Sequence, residues 1–300
     1  MQEYWINNDD VALYAKSYGQ PHHPTLVFLH GFPDCHQSWM CQVEALQHSY
    51  HVVVFDMRGV GSSSCSARDD AYKIEYLLSD IQAVIDAVVG HHKKVHLVGH
   101  DWGSVIGWSF ASESQYSHRV LSYTSMSGPH LGLVPRWLVN GIKSGNARRI
   151  QGVLKQIFFS WYIYLFNVPR LPEWILRIRG QKIWPKVLAE NGVPQGDRYL
   201  KASADQVKRR WLHSINLYRD NPLSLPPAPE DSGITMPVQL IFPKQDRFVS
   251  EALFVGYERY VMDLRRHEID GMHWAHHSHA MQFNGLLIRF IEEIESLGKA

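Results

Sequence analysis

The 300-residue chain has only three cysteines, Cys35, Cys41 and Cys65. They are too few and odd in number for a disulfide framework and lack the paired spacing of a structural metal site, which fits a reducing, cytoplasmic setting. Long hydrophobic runs are also missing. The greasiest stretch, 157–168, is broken by Ser160 and Asn167 and followed by Pro169, short of the roughly 18 residues that a spanning helix needs. The first residues carry Glu3, Asp9 and Asp10 where a secretory leader would be basic and then apolar. There is no internal repeat of solenoid period, and biased composition is confined to prolines in 222–229 and histidines near 276. Net charge is only +1. No nucleic-acid partner and no cofactor are expected.

What is present is apolar residue, 45% of the chain, enough for one large domain or a domain carrying a big insertion. Thr25 to Leu29, His51 to Phe55 and Val95 to Val98 are continuous apolar runs, the mark of parallel strands covered on both faces. Arg119 to Ser125, Val238 to Phe242 and Leu264 to Ile269 read as further strands. Between them, Leu77, Leu78, Ile81, Val84, Ile85 and Val88 fall at helical spacing, and Gly90 stops the run. The alternation predicts an α/β fold with a mostly parallel central sheet flanked by helices. Residues 132–229 break that rhythm. They are rich in Trp and Arg, show helical patterns without convincing strands, and end in a proline-rich return at 222–229. The core is therefore expected at 1–131 and 230–300, with a helical insertion between. Charge divides the same way: 132–229 holds 16 Lys and Arg against 5 Asp and Glu, net +11, and the remainder 14 against 24, net −10. Such a run usually marks a solvated helical face. It also suits docking to an acidic protein, an acyl carrier or a membrane surface.

Ligands of open α/β sheets bind at the carboxyl ends of the strands, so the residues just past each apolar run are informative. His30-Gly31-Phe32-Pro33-Asp34 follows the first run, Asp56-Met57-Arg58-Gly59 the second, and Gly99-His100-Asp101-Trp102-Gly103 the third. The last reads as a nucleophile elbow, where glycines let a strand turn sharply into a helix. By itself it also fits an Asp helix N-cap. Asp246 follows Phe242 closely, and His273 lies just past Ile269. Asp101, Asp246 and His273 thus fall in the chain order nucleophile, acid, histidine that an elbow architecture uses. Asp246 alone is equally a turn residue. Asp263 and Asp270 rank below it because neither directly follows an apolar run.

At these motifs the chain resembles the α/β-hydrolase superfamily and, within it, the epoxide hydrolases. The resemblance rests on His30 to Pro33 with Ser38, Trp39 and Gln42, on Asp56 to Gly59 with Gly61-Ser62, on Gly99 to Ser104, and on His273-Trp274. It makes 132–229 the helical cap, or lid, of that fold, through Trp161 to Glu173 and Asn216 to Arg219. The resemblance implies that Phe32 and Trp102 supply oxyanion-hole N–H groups. It also implies two cap tyrosines that hold the epoxide oxygen. Tyr218 matches the second, whereas the first, aligned through Phe166-Asn167-Val168-Pro169, falls on Leu165. Tyr164 or Tyr162 takes its place only if the helix is rotated or kinked, because adjacent helical positions point about 100° apart. Met272 also stands where the family commonly has glycine.

An aspartate nucleophile suits attack on a saturated carbon bearing an epoxide oxygen or a halide, giving an enzyme ester. His273 would then activate water against the Asp101 ester, with Asp246 holding the imidazole and Tyr218 protonating the leaving oxygen. Trp137, Trp161, Trp174, Trp184 and Trp211 in the insertion predict a greasy pocket, with Pro33, Trp161, Tyr162 and Tyr164 as candidate substrate contacts. The expected partners are a small hydrophobic substrate, with or without an anionic tail, and water; a homodimer is compatible. Haloalkane dehalogenation is the nearest alternative, with Trp102 and Trp161 as halide donors, and a non-catalytic ligand-binding member of the fold is another. His276, His277 and His279 lack the Cys or carboxylate company of a metal site and are expected at the surface of a helix start. His22, His23, His91 and His92 are expected in solvated loops.

Overall fold

The computed structural model describes residues 1–221 and 224–298, which leaves Pro222 of the proline-rich return outside the described residues. Those residues form one eight-stranded sheet in the order β1-β2-β4-β3-β5-β6-β7-β8. Strands β3 (Thr25–Leu29), β4 (His51–Phe55), β5 (Val95–His100), β6 (Val120–Met126), β7 (Val238–Pro243) and β8 (Leu264–Ile269) run parallel. Every residue of β3, β4, β5 and β7 is buried, because helices cover both faces. Alternate residues feed opposite cores: Val27 and Leu29 pack on one face, Leu26 and Phe28 on the other.

The antiparallel hairpin β1 (Gln2–Asn8) and β2 (Val11–Tyr18) was not foreseen. Its turn is only Asp9-Asp10, and Asp9 takes a φ of 50°, a conformation that short polar residues tolerate. The core helices are α1 (Met40–Leu46), α2 (Ile74–Val88), α3 (Trp102–Ser112), α4 (Ser114–Ser117), α11 (Ala275–Ser278) and α12 (Ala280–Leu297). As its spacing predicts, α2 buries Leu77, Leu78, Ile81, Val84 and Ile85.

Between β6 and β7 the described residues hold helices joined by loops and, apart from an isolated bridge at Ile234, no strand. They form α5 (Val134–Lys143), α6 (Ala147–Phe159), α7 (Trp161–Phe166), α8 (Leu171–Glu190), α9 (Ala204–Ser214) and α10 (Leu217–Asp220). Ser203 and Gln206 form a reciprocal capping box that starts α9. Buried Trp184 on α8 meets Trp211 on α9 edge-on at 5.8 Å and Trp274 of the core at 5.6 Å. This insert therefore lies over the carboxyl ends of the strands.

Candidate active site

β5 ends at His100 and α3 begins at Trp102, so Asp101 makes the whole turn. Its φ of 52° and ψ of −121° are strained for a non-glycine residue, by about 1–3 kcal/mol. Asp101 stands at the N-cap position, but its side chain bonds no helix N–H. Glycines make the turn possible. A Cβ on Gly103 would fall 2.1 Å from the Leu29 carbonyl oxygen, and one on Gly31 would fall 2.4 Å from Asp101 Oδ1.

The Phe32 N–H donates to Asp101 Oδ1 at 2.6 Å, and Oδ2 lies 3.6 Å from His273 Nε2. On the other side of the imidazole, Nδ1 meets Asp246 Oδ2 at 3.0 Å and Oδ1 at 3.1 Å. Asp246 also accepts the N–H groups of Phe248 and Val249, so it is a turn residue and a partner of histidine at once. Asp263 is paired with Arg265, and Asp270 accepts from Gln245. Burial opposes charge on His273, but Asp246 and Asp101 outweigh it and push its pKa up to about 10. Burial likewise opposes ionisation of Asp246, and His273 overrides it to hold the carboxyl below its usual range. The imidazole thus stands between the two side chains, with its charged form favoured. Among the described residues Trp102 N–H makes no bond to the Asp101 carboxylate. Its indole lies edge-on to Tyr218 at 5.1 Å.

A cavity of about 550 Å³ rises from Asp101 and His273 into the insert, with walls that include Pro33, Leu165, Trp184, Trp211 and Tyr218. That volume lies in the range of small-molecule sites. Tyr218 is buried, edge-on to Phe32 at 5.0 Å and to Tyr162 at 5.8 Å. Tyr162 lines the same cavity. Burial first, then the Asp101 charge, raises the Tyr162 pKa; burial, Tyr162 and Asp101 raise that of Tyr218.

One expectation about the insert is corrected, that of Tyr164 as a substrate contact. The helix does break, at Ser160, but no rotation is required, because Tyr162 precedes Leu165 by three positions and shares its face. Tyr162, Leu165 and Phe166 point inward, which sends Tyr164 out of the site, 68% exposed. Trp161 lines the cavity while 61% exposed.

The histidine cluster is corrected as well. His276 and His277 are buried, and only His279 is exposed. His276 stacks obliquely between Trp39 at 4.6 Å and His100 at 4.3 Å, and burial pushes its pKa far down. His100 Nε2–H donates to the His273 carbonyl at 2.9 Å. The pairing that sequence reasoning missed is buried Asp34. It accepts the Tyr199 hydroxyl of the insert at 2.5 Å and the Trp274 indole N–H at 3.0 Å. Asp34 directly follows the Gly31-Phe32-Pro33 strand end, and that place was its one signal.

Among the described residues one buried group, Cys35, His36 and Asp56, has metal-ligand chemistry although its sequence spacing does not suggest it. Its carboxylate is already engaged: Oδ1 accepts the His36 N–H and Nδ1–H, both at 2.8 Å, and Oδ2 accepts the Ser62 N–H. The Arg210 cation also lies near Cys35 and Asp56. These contacts make the group a tie between two loops.

Comparison with known proteins agrees with this architecture. Epoxide hydrolase 3 of Xenopus tropicalis is 28% identical over 96% of this chain and 77% of its own length. Epoxide hydrolase 4 of Mus musculus is 26% identical over 96% and 78%. The crystal structure of a mutant epoxide hydrolase from Bacillus megaterium, complexed with its naphthyloxy-propanediol product, superposes with a TM-score of 0.79 at 25% identity. It covers 96% of this chain and all of that one. The alpha/beta hydrolase fold family matches residues 24–280. This chain belongs to the α/β-hydrolase fold family.

Proposed function

We propose that this protein opens hydrophobic epoxides to vicinal diols through a covalent ester on Asp101. The observation that carries the reading is the pair of phenols, Tyr162 and Tyr218, that line one apolar cavity with Asp101. Residues 132–229 act in it as the cap. The epoxide oxygen sits between the phenols while Asp101 Oδ2 attacks the adjacent carbon. The C–O bond breaks, and the oxygen takes a proton from one phenol. Esterification removes the negative charge of Asp101, which raises the phenol pKa values and holds His273 charged. The phenol is then regenerated from the phenolate with the imidazolium proton, carried by solvent, which leaves His273 neutral.

Neutral His273, oriented by Asp246, next takes a proton from water, and the hydroxide attacks the Asp101 ester carbonyl. Oδ1 becomes the oxyanion. The Phe32 N–H already points at it, and the adjacent Trp102 N–H is assigned as the second donor. Collapse expels the diol oxygen, which takes the proton of the new carboxylic acid. Asp101 returns to its place beside the imidazolium. Of the two leaving groups, the epoxide fits better than a halide. Trp161 is too exposed for a dry halide cradle, and Phe32 occupies the position of an additional side-chain donor.

The test is to trap the intermediate by mass spectrometry in a His273→Gln variant, offering a terminal epoxide and a bromoalkane separately. A hydroxyalkyl ester on Asp101 is expected from the epoxide. A plain alkyl ester from the bromide alone would assign dehalogenation, and no adduct from either, in a folded variant, would leave a binding protein. We further propose that the substrate carries an anionic tail, because exposed Arg247 lies on the cavity lining. An epoxy acid should turn over faster than its methyl ester, and salt should narrow the gap. Equal, salt-insensitive rates would dismiss the tail.

A further inference from the structure

Helices that meet water on one side normally turn their apolar stripe inward. The insert does the reverse. Leu154, Ile157, Phe158 and Trp161 follow i, i+3, i+4, i+7 spacing along α6 and just beyond it, yet they are 61%, 42%, 73% and 61% exposed. On α8, Leu171, Trp174 and Ile178 repeat the pattern at 39%, 62% and 61%. Val139 and Ile142 on α5 and Tyr164 on α7 are exposed as well. The inward packing of the same helices is done by other residues, Val153 on α6 and Leu176, Trp184 and Leu188 on α8. The outer stripes are therefore surplus to the fold of the insert.

Cations flank these stripes. Residues 132–190 carry ten Lys and Arg against only Glu173 and Glu190. All ten cations are exposed, and among the described residues only Lys186 of the ten makes an ion pair. The cavity reaches the surface at the same place, since Phe158 and Trp161 belong both to its lining and to the exposed stripe.

We propose that this face of the insert docks on the surface of an anionic lipid bilayer, with α6, α7 and α8 in the headgroup region and the cavity mouth opening into it. Helices with Lys and Arg beside exposed Trp, Phe and Leu are the ones that lie in a membrane interface. Trp and Tyr suit that boundary, apolar in the ring and polar at one edge. The charge division orients the molecule: the +11 insert is drawn to anionic headgroups while the −10 core is repelled. A second copy placed face to face on the stripes would set like charge against like. An acidic protein would answer the cations but gives no reason for so many exposed apolar side chains between them. Docking would let a hydrophobic substrate enter from the lipid without crossing water.

Vesicle binding is read without turnover, so this inference stands or falls apart from the proposed reaction. The intact chain is floated with vesicles of phosphatidylcholine containing about 30% phosphatidylserine, and with pure phosphatidylcholine, at low and high salt. Two variants accompany it. Leu154→Ser/Trp174→Ser/Ile178→Ser removes outer apolar groups, and Arg148→Glu/Arg149→Glu/Lys155→Glu reverses charge; none of the six lines the cavity. At least tenfold stronger partition into the anionic vesicles is expected. It should weaken with salt and be lost in both variants, which keep their far-UV spectrum and their turnover of a water-soluble epoxide. No binding to anionic vesicles at low salt would overturn the proposal. So would binding unchanged by both variants, or concentration-dependent self-association that only the serine variant abolishes, which would assign the face to a second copy.

Discussion

Tyr162 shows how much one side chain contributes to the proposed chemistry. It stands one helical turn from Leu165, and with Tyr218 it places two phenols over the Asp101 carboxylate. Tyr162→Phe keeps the ring and its packing on Phe166 and Tyr218 but removes the donor. A positioned proton donor contributes roughly 10²–10⁴-fold, so kcat for an epoxide should fall by at least about 100-fold. Tyr164→Phe, two residues away on the outer surface, should leave kcat unchanged. Steady-state kinetics of the two variants on one substrate checks the assignment, and the opposite ranking would reassign the second phenol.

Among the elements, the insert is tied to the core by a buried contact that no local pattern signals. Asp34, in the loop after β3, accepts the hydroxyl of Tyr199 from the short 3₁₀ helix Arg198–Lys201 between α8 and α9. The same carboxylate receives Trp274, the residue after His273, so one side chain holds the insert and the histidine loop together. A hydrogen bond to a charged group contributes about 1.5–3 kcal/mol. Asp34→Asn and Tyr199→Phe should each destabilise the protein by about 2 kcal/mol in urea unfolding. The double variant should cost less than the sum of the two, because both remove one contact. Strict additivity would show that the link does not hold the two elements together.

For the whole molecule, the buried triplet of charges makes stability depend on pH in a stated direction. His273 has a folded pKa of about 10 against an ordinary 6.5. Its contribution is therefore complete below about pH 6.5 and is lost as pH rises toward 10. Asp246 works the other way: its lowered pKa contributes above the usual carboxylate range and is lost on acidification. Denaturant midpoints measured from pH 6 to 10 should fall for the native chain. They should fall much less for His273→Gln, and parallel curves would mean that His273 is neutral in the free protein. At the same scale the division of charge between insert and core sets how the molecule presents itself to an anionic surface.

Much of this was legible in local pattern. Continuous apolar runs mark strands buried on both faces, glycines mark a turn too tight for a Cβ, and Asp101, Asp246 and His273 stand at strand ends whatever the packing. The N-terminal hairpin was not legible, because Asp9-Asp10 carries no glycine to announce its turn. The sequence by itself thus determined the α/β sheet, the helical insert and the order of the three polar residues, since each follows from residue spacing within one element. Only the tertiary structure decided that Tyr162 and not Tyr164 faces Asp101, that His276 and His277 are buried, that Asp34 receives Tyr199, and that the stripes of α6 and α8 face outward. The physical reason is common to all four: a periodic pattern shows that a helix has an apolar side, but only the neighbours it packs against decide which side is covered.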